Sequence, residues 1–175
     1  MSLHAFTITT YVQVLGALSV WLDKAAIGGA EKGGDAILEA KLADDMFPLA
    51  AQVRVACDQA TGTVKRLTTK SLVLSDDNDT TIAAAKERIA TTIAFLQTVT
   101  EADFAAPDSA VALDLPNGMT FDFTALEYAR DWSLAQFYFH VGMAYAILRK
   151  EGVPLGKIDY LSYGLRYLRK APAAV

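Results

Sequence analysis

The sequence predicts an all-α fold: a four-helix bundle with a small β-hairpin inserted between the third and fourth helices, in one domain spanning residues 1–175. Three observations predict it. Apolar side chains recur every three or four residues through four long segments, the signature of helices with one buried face. A single stretch, 110–124, alternates with a period of two instead. The chain is 175 residues long with 53% apolar and 21% charged residues, enough for one core and rather little for two.

The first helix covers 6–26, where Phe6, Tyr11, Val14, Leu15, Leu18, Leu22 and Ala25 share a face. "IGGAEKGGD" at 27–35 ends it, and "DAILEAKL" forms a short helical piece. The second helix starts near Met46. Leu49, Ala50, Val53, Ala56, Cys57, Ala60, Val64 and Leu67 trace one stripe along it. Asp44 or Asp45 is the expected N-cap, with Pro48 tolerated in the first turn. The third helix runs over 80–99 with Ile82, Ala85, Ile89, Ile93 and Leu96 inward, and Asp79 or Thr80 as its cap.

In the alternating stretch, Val111, Leu113 and Leu115 share one face of a ribbon, as do Met119, Phe121 and Phe123. Asn117-Gly118 tolerates the positive φ of a tight turn between the two strands. Such a ribbon is marginal alone and must pack on the helices. The fourth helix covers 124–151 and stops at Gly152, with Pro154 beyond. The tail "KIDYLSYGLRYLRK" is expected to make one short helix with Leu161, Leu165 and Leu168 inward.

Charge and composition narrow the function. A net charge of −4 gives no electrostatic reason to bind nucleic acid or an anionic membrane. The N-terminus has no basic region followed by an apolar core, so no signal peptide is expected. The nearest approach to a membrane span, "WSLAQFYFHVGMAYAIL", is interrupted by Ser133, Gln136 and His140 and bracketed by charges. One cysteine, Cys57, excludes an intrachain disulfide and cysteine-rich zinc sites, which suits a reducing cytoplasm. "GGAEKGG" lacks the Lys-Ser/Thr and the strand–loop–helix setting of a phosphate loop, and HExxH, GxSxG and CxxC are all missing.

His140 is one of only two histidines and lies in an otherwise apolar helix. It reads either as a hydrogen-bonded core histidine, as a member of a ligand or metal pocket, or as a catalytic base. Gln136 lies four residues earlier and Ser133 a further turn back, so all three share a face. On the second helix Asp45 and Gln52 stand seven residues apart, beside the apolar stripe. If the two faces meet, Asp45, Gln52, Gln136 and His140 form a polar cluster. His140 and Asp45 would then be the nucleus of a Zn, Ni or Fe site, with Tyr11 among the aromatic residues lining the cavity. A buried Gln136 amide would need hydrogen-bond partners. His4 falls at a frayed terminus, Cys57 fills core space, and Gly16, Gly142 and Gly164 read as close-approach or strain points.

Three stretches together resemble a known family: "FTITTYVQVLGALSVWLDKA" (6–25), "KLADDMFPLAAQVRVACDQA" (41–60) and "FYFHVGMAYAILRKEGVPLGKIDYL" (137–161). They are similar to DUF1993, bacterial proteins of unknown function that look related to the DinB/YfiT-like metalloenzymes. The resemblance covers nearly the whole chain and implies an up-down four-helix bundle. It also implies a divalent metal held by three histidines, one from the second helix and two spaced H-x3-H on the last long helix. Here that pair reads Gln136-x3-His140, and the second helix has no histidine, Asp45 or Gln52 being its nearest polar residues. Related bundles include thiol-dependent transferases in which a metal activates the thiol.

Two kinds of function follow as expectations. One is an enzyme, a metal- or thiol-dependent transferase working in a polar pocket around His140. The other is non-enzymatic: a small-ligand binder using the same groups for hydrogen bonds, or a structural or stress protein acting as a homodimer.

Overall fold

A computed structural model describes residues 2–27 and 34–169. The chain is mostly helical. Its long helices are α1 (Leu3–Ile27), α2 (Leu49–Leu67), α3 (Ile82–Gln97) and α5 (Leu134–Lys150), with short helices α4 (Ala125–Glu127) and α6 (Lys157–Tyr160). Strands β1 (Ala110–Asp114) and β2 (Thr120–Thr124) form an antiparallel hairpin. Helix α2 packs on α3 and, most extensively, on α5; α1 packs on the other sides of α3 and α5. The four therefore close a ring around one apolar core, in which Tyr11, Leu15, Leu18, Trp21, Leu49 and Phe137 are fully buried.

Every residue of the stripe expected on α2 is buried, but the helix begins later than its apolar pattern suggests. Its N-cap is Pro48, which has no side-chain hydrogen bond to offer. Neither Asp44 nor Asp45 caps it; Asp45 is exposed in the preceding turn. The reason is local, since the proline ring disfavours helical backbone at Phe47 and the helix can start only beyond it. The α3 cap is also one residue from expectation. Thr81 accepts from the Ala84 N–H at 3.0 Å, and Asp35 Oδ1 accepts from the Ile82 N–H at 2.7 Å. Asp79 pairs with Arg88 instead.

Helix α1 extends beyond the expected bounds at its start, and His4 is not frayed. Its Nε2 hydrogen-bonds the Val99 carbonyl at 2.9 Å, beyond the end of α3. Among the described residues α1, not α5, is the helix long and apolar enough to cross a membrane, and half of its most apolar stretch is buried inside the fold. Most of the glycine-rich segment at 27–35 lies outside the described residues. The following piece is a 3-10 helix, Gly34–Glu39, anchored by buried Ile37 and Leu38. A Cβ at Gly16, Gly142 or Gly164 would meet nothing within 4 Å, so these glycines mark no close approach.

The hairpin pairs Val111 with Phe123 and Leu113 with Phe121. This face makes a second apolar cluster with Tyr128, Ala129 and the partly buried Trp132. The turn is one residue longer than an Asn-Gly pair. Gly118 N–H bonds to Leu115 O and Leu115 N–H to Met119 O, enclosing Pro116, Asn117 and Gly118. Only Gly118 takes a positive φ, +85°, the pattern of a three-residue hairpin loop.

The last long helix is not uniform. Thr124 and Glu127 form a reciprocal capping box at its start. Residues Tyr128–Ser133 then make a π-helical turn, in which the Leu134 N–H reaches back to Ala129 O. Its end is as expected: Gly152 at φ +83° turns the chain and the Val153 N–H bonds to Leu148 O. The tail departs from expectation. It forms α6 and a 3-10 turn, Ser162–Tyr167, and Leu161, Leu165 and Leu168 are 39%, 48% and 57% exposed. What holds it is Tyr160 stacked on Trp21 at 5.4 Å and Asp159. The Asp159 carbonyl accepts from Trp21 Nε1–H, and its carboxylate pairs with Lys24 at 2.6 Å.

Candidate functional site

The seam between α2 and the last long helix carries the polar side chains. On α2, Gln52, Ala56, Gln59, Thr63 and Arg66 recur every three or four residues and so share one face. Opposite them on the last helix are His140, Gln136, Ser133 and Tyr128.

At one end of the seam Gln52 and His140 meet. Gln52 Nε2 donates to the Phe47 carbonyl at 3.2 Å, which leaves its Oε1 as an acceptor 2.8 Å from His140 Nδ1. Nδ1 must therefore carry the proton, and the lone pair sits on Nε2. The imidazole is 8% exposed. It lies against Phe47 at 6.4 Å and meets Phe139 edge to face at 5.2 Å. Burial, and secondarily the Arg54 charge, lower its pKa from the usual 6.5, so it is neutral at pH 7. Asp45 is exposed and hydrogen-bonds to neither residue.

In the middle of the seam, three buried hydroxyls close on one another. Tyr11 Oη lies 2.8 Å from Ser133 Oγ and 3.0 Å from Thr63 Oγ1, and Ser133 and Thr63 also bond. Thr63 donates to the Gln59 carbonyl at 2.7 Å. It can therefore only accept within the cluster, and the Tyr11 and Ser133 protons serve two of the three contacts at a time. Burial pushes the Tyr11 phenol up to about 12, so it is a fixed neutral member of the cluster.

Towards the other end of the seam, a cleft of about 310 Å³ opens between α2, the π turn and the hairpin. Gln59, Arg66, Gln136, Tyr128 and Asp58 give it polar walls, and Leu113, Leu115 and Trp132 cover it from the hairpin side. Gln136 is thus half-buried on a cleft rather than enclosed in the core. The Arg66 guanidinium lies 5.7 Å from the Tyr128 ring centre and donates to its own helix at Gly62 O, 3.3 Å away. Burial raises the Tyr128 pKa, with Arg66, Ser133 and Thr63 pulling the other way.

The π turn makes this arrangement. Five residues of ordinary α-helix would set Tyr128 and Ser133 roughly 140° apart; the wider turn brings both towards α2. Such turns inside helices recur at functional sites. The structure joins Gln52 to His140, puts Tyr11 in the hydroxyl cluster, Gln136 on the cleft and Asp45 outside all three. Gln59, Thr63, Arg66 and Tyr128 were missed by sequence reasoning. The spacing of Gln52, Gln59, Thr63 and Arg66 was a readable signal, hidden beside the stronger apolar stripe.

Metal fit can be judged from the donors. Among the described residues no three His, Cys, Asp or Glu side chains gather closely enough to hold an ion. His140 offers one imidazole nitrogen, oriented by Gln52 as second partners orient metal-bound histidines. Its other neighbours are an amide, two phenyl rings and a guanidinium. These residues do not form the three- or four-ligand set that zinc, nickel or iron takes. Cys57 is no substitute, since it is fully buried and its thiol bonds to Thr92 on α3 rather than lying with His140.

No curated protein matches this sequence. Among solved structures, the crystal structure of a DinB family member protein from Shewanella denitrificans is similar. It is 34% identical, the match covers 91% of each chain, and the TM-score is 0.78. The family description "Domain of unknown function (DUF1993)" matches residues 3–161. With nearly the whole helical chain inside that match, this protein belongs to the DUF1993 family and has a DinB-like fold.

Proposed function

We propose that this protein is a small-ligand-binding bundle of the DinB-like, up-down four-helix type, working in the cytoplasm and recognising its ligand by hydrogen bonds along the α2–α5 seam. One observation carries the reading. The seam presents amides and hydroxyls where a metal site needs several imidazoles or carboxylates, and beside them lies the cleft walled by Gln59, Gln136 and Tyr128. Amides and hydroxyls both donate and accept, which suits them to fixing a polar molecule without ionising it. Among the described residues the same seam contains no base–nucleophile pair: Ser133 bonds to other hydroxyls, and His140 faces Gln52.

The test is a thermal-shift screen of small polar metabolites against the native protein and Gln136→Leu. Compounds that raise the melting temperature of the native protein and leave Gln136→Leu unmoved support the reading. Elemental analysis of protein purified without chelator is the counter-test. Stoichiometric zinc, nickel or iron that disappears in His140→Ala would overturn it in favour of a metal-dependent transferase.

A further inference from the structure

Resting on the ligand-binding reading, we infer that the ligand of the α2–hairpin cleft is a small organic acid with one negative charge and an apolar body. Its carboxylate meets Arg66, and its hydrocarbon part meets Leu113, Leu115 and Trp132.

The charge follows from the ion pairs. Asp58, the acidic residue on this cleft, is already paired with Arg54 at 3.1 Å. Arg66 forms no ion pair among the described residues; its contacts are the Tyr128 ring and hydroxyl and a carbonyl of its own helix. Among the described residues the cleft therefore holds one unneutralised cation. A guanidinium presents a flat fork of donors that matches a carboxylate with two parallel hydrogen bonds. The Gln59 and Gln136 amides supply further donors from the same walls. A second negative charge on the ligand would find no second free cation in the cleft among the described residues, which disfavours dianions such as phosphate esters or dicarboxylates.

The body of the ligand follows from the cover. Leu113 and Leu115 come from the hairpin and Trp132 from the π turn, and together they make an apolar wall opposite the polar one. A volume of about 310 Å³ is at the small end of ligand sites, of the order of 300 to 1,000 Å³. A ring or short chain bearing one carboxylate fits both walls. Because Arg66 is exposed, the attraction is screened, and binding weakens as salt rises.

The probes are benzoate and benzamide, equal in shape and different in charge, with inorganic phosphate as a third arm. Binding is read from calorimetry and from the indole N–H resonances of Trp132 on the cleft and Trp21 in the core. The expected result is saturable benzoate binding that moves Trp132 and not Trp21. Benzamide and phosphate should bind at least tenfold more weakly, and so should benzoate to Arg66→Gln. Arg66→Lys should recover part of the loss. Benzamide binding as well as benzoate, or Arg66→Gln binding unchanged, overturns the anion assignment and leaves the ligand-binding reading intact. No movement of Trp132 with benzoate also overturns it, and the metabolite screen then decides the broader reading separately. Phosphate binding tighter than benzoate replaces the organic acid with an inorganic anion.

Discussion

Gln52 and His140, 88 positions apart in sequence, are joined by a hydrogen bond of 2.8 Å that sets the tautomer of the imidazole. The bond exists because Gln52 is itself held by the Phe47 carbonyl just before α2. A turn dictated by Pro48 thus determines which nitrogen of a histidine on another helix is free.

Removing Gln52 leaves a buried Nδ1–H without a partner. Gln52→Leu should destabilise the fold by about 1–3 kcal/mol, the usual cost of an orphaned buried donor. In Gln52→Leu/His140→Leu neither polar group remains, and the loss should be smaller than the sum of the single losses by about 1 kcal/mol. Urea unfolding of the four proteins measures it; strict additivity would mean the bond contributes nothing.

The pH dependence has a definite sign. The folded pKa of His140 is lowered from 6.5, chiefly by burial. Above 6.5 both folded and unfolded chains hold it neutral, so it has no effect on stability. As pH falls below 6.5 the unfolded chain takes up the proton first, and stability declines until the folded pKa is passed. NMR titration should put the His140 midpoint below 6.5. His140→Gln should flatten the stability profile between pH 7 and its acid limb; an unchanged profile would contradict the shift.

Tyr11→Phe deletes one hydroxyl and leaves Thr63 and Ser133 bonded to each other. The expected cost is about 1 kcal/mol by denaturant unfolding. Thr63→Val should cost more, because it strips Tyr11 and Ser133 of a shared partner at once. In spectrophotometric titration of the native protein the Tyr11 phenol should ionise near 12, after the exposed tyrosines.

Arg88 ties down the connection before α3. Its guanidinium bonds to the Asp79 carboxylate at 2.7 Å and to the carbonyls of Ser75 and Asp77 at 3.0 and 2.9 Å. Arg88→Met should cost about 2–3 kcal/mol, since it leaves three acceptors without their donor. Hydrogen exchange should quicken over residues 75–79 and stay unchanged in the hairpin. Arg88→Lys keeps the charge but cannot span all three acceptors, so it should recover only part of the loss.

Much of the fold was legible because burial imposes a period. The α2 stripe, the inward face of α1, the alternating hairpin and the stop at Gly152 all follow from apolar spacing or glycine geometry, and each is in place. The tail was not legible in this way. Leu161, Leu165 and Leu168 keep helical spacing, but the segment is largely 3-10 and is held through Tyr160 and Asp159, so their side chains stay exposed. The caps at Pro48 and Thr81 were decided by local sterics and hydrogen-bond geometry within one or two residues, finer than any periodic pattern resolves.

The sequence by itself determined a helical chain with one hairpin, its DUF1993 membership, and the shortage of histidine and cysteine that sets the chemistry available. Tertiary structure decided which polar residues meet. Gln136 and His140 are neighbours on one helix, yet one borders a cleft and the other faces Gln52. Tyr128 and Ser133 reach α2 together because the last helix widens into a π turn, which depends on how the backbone packs against its neighbours. Periodicity assigns a side chain to a face; only the opposing helix supplies the partner that fixes its proton, its charge and its role.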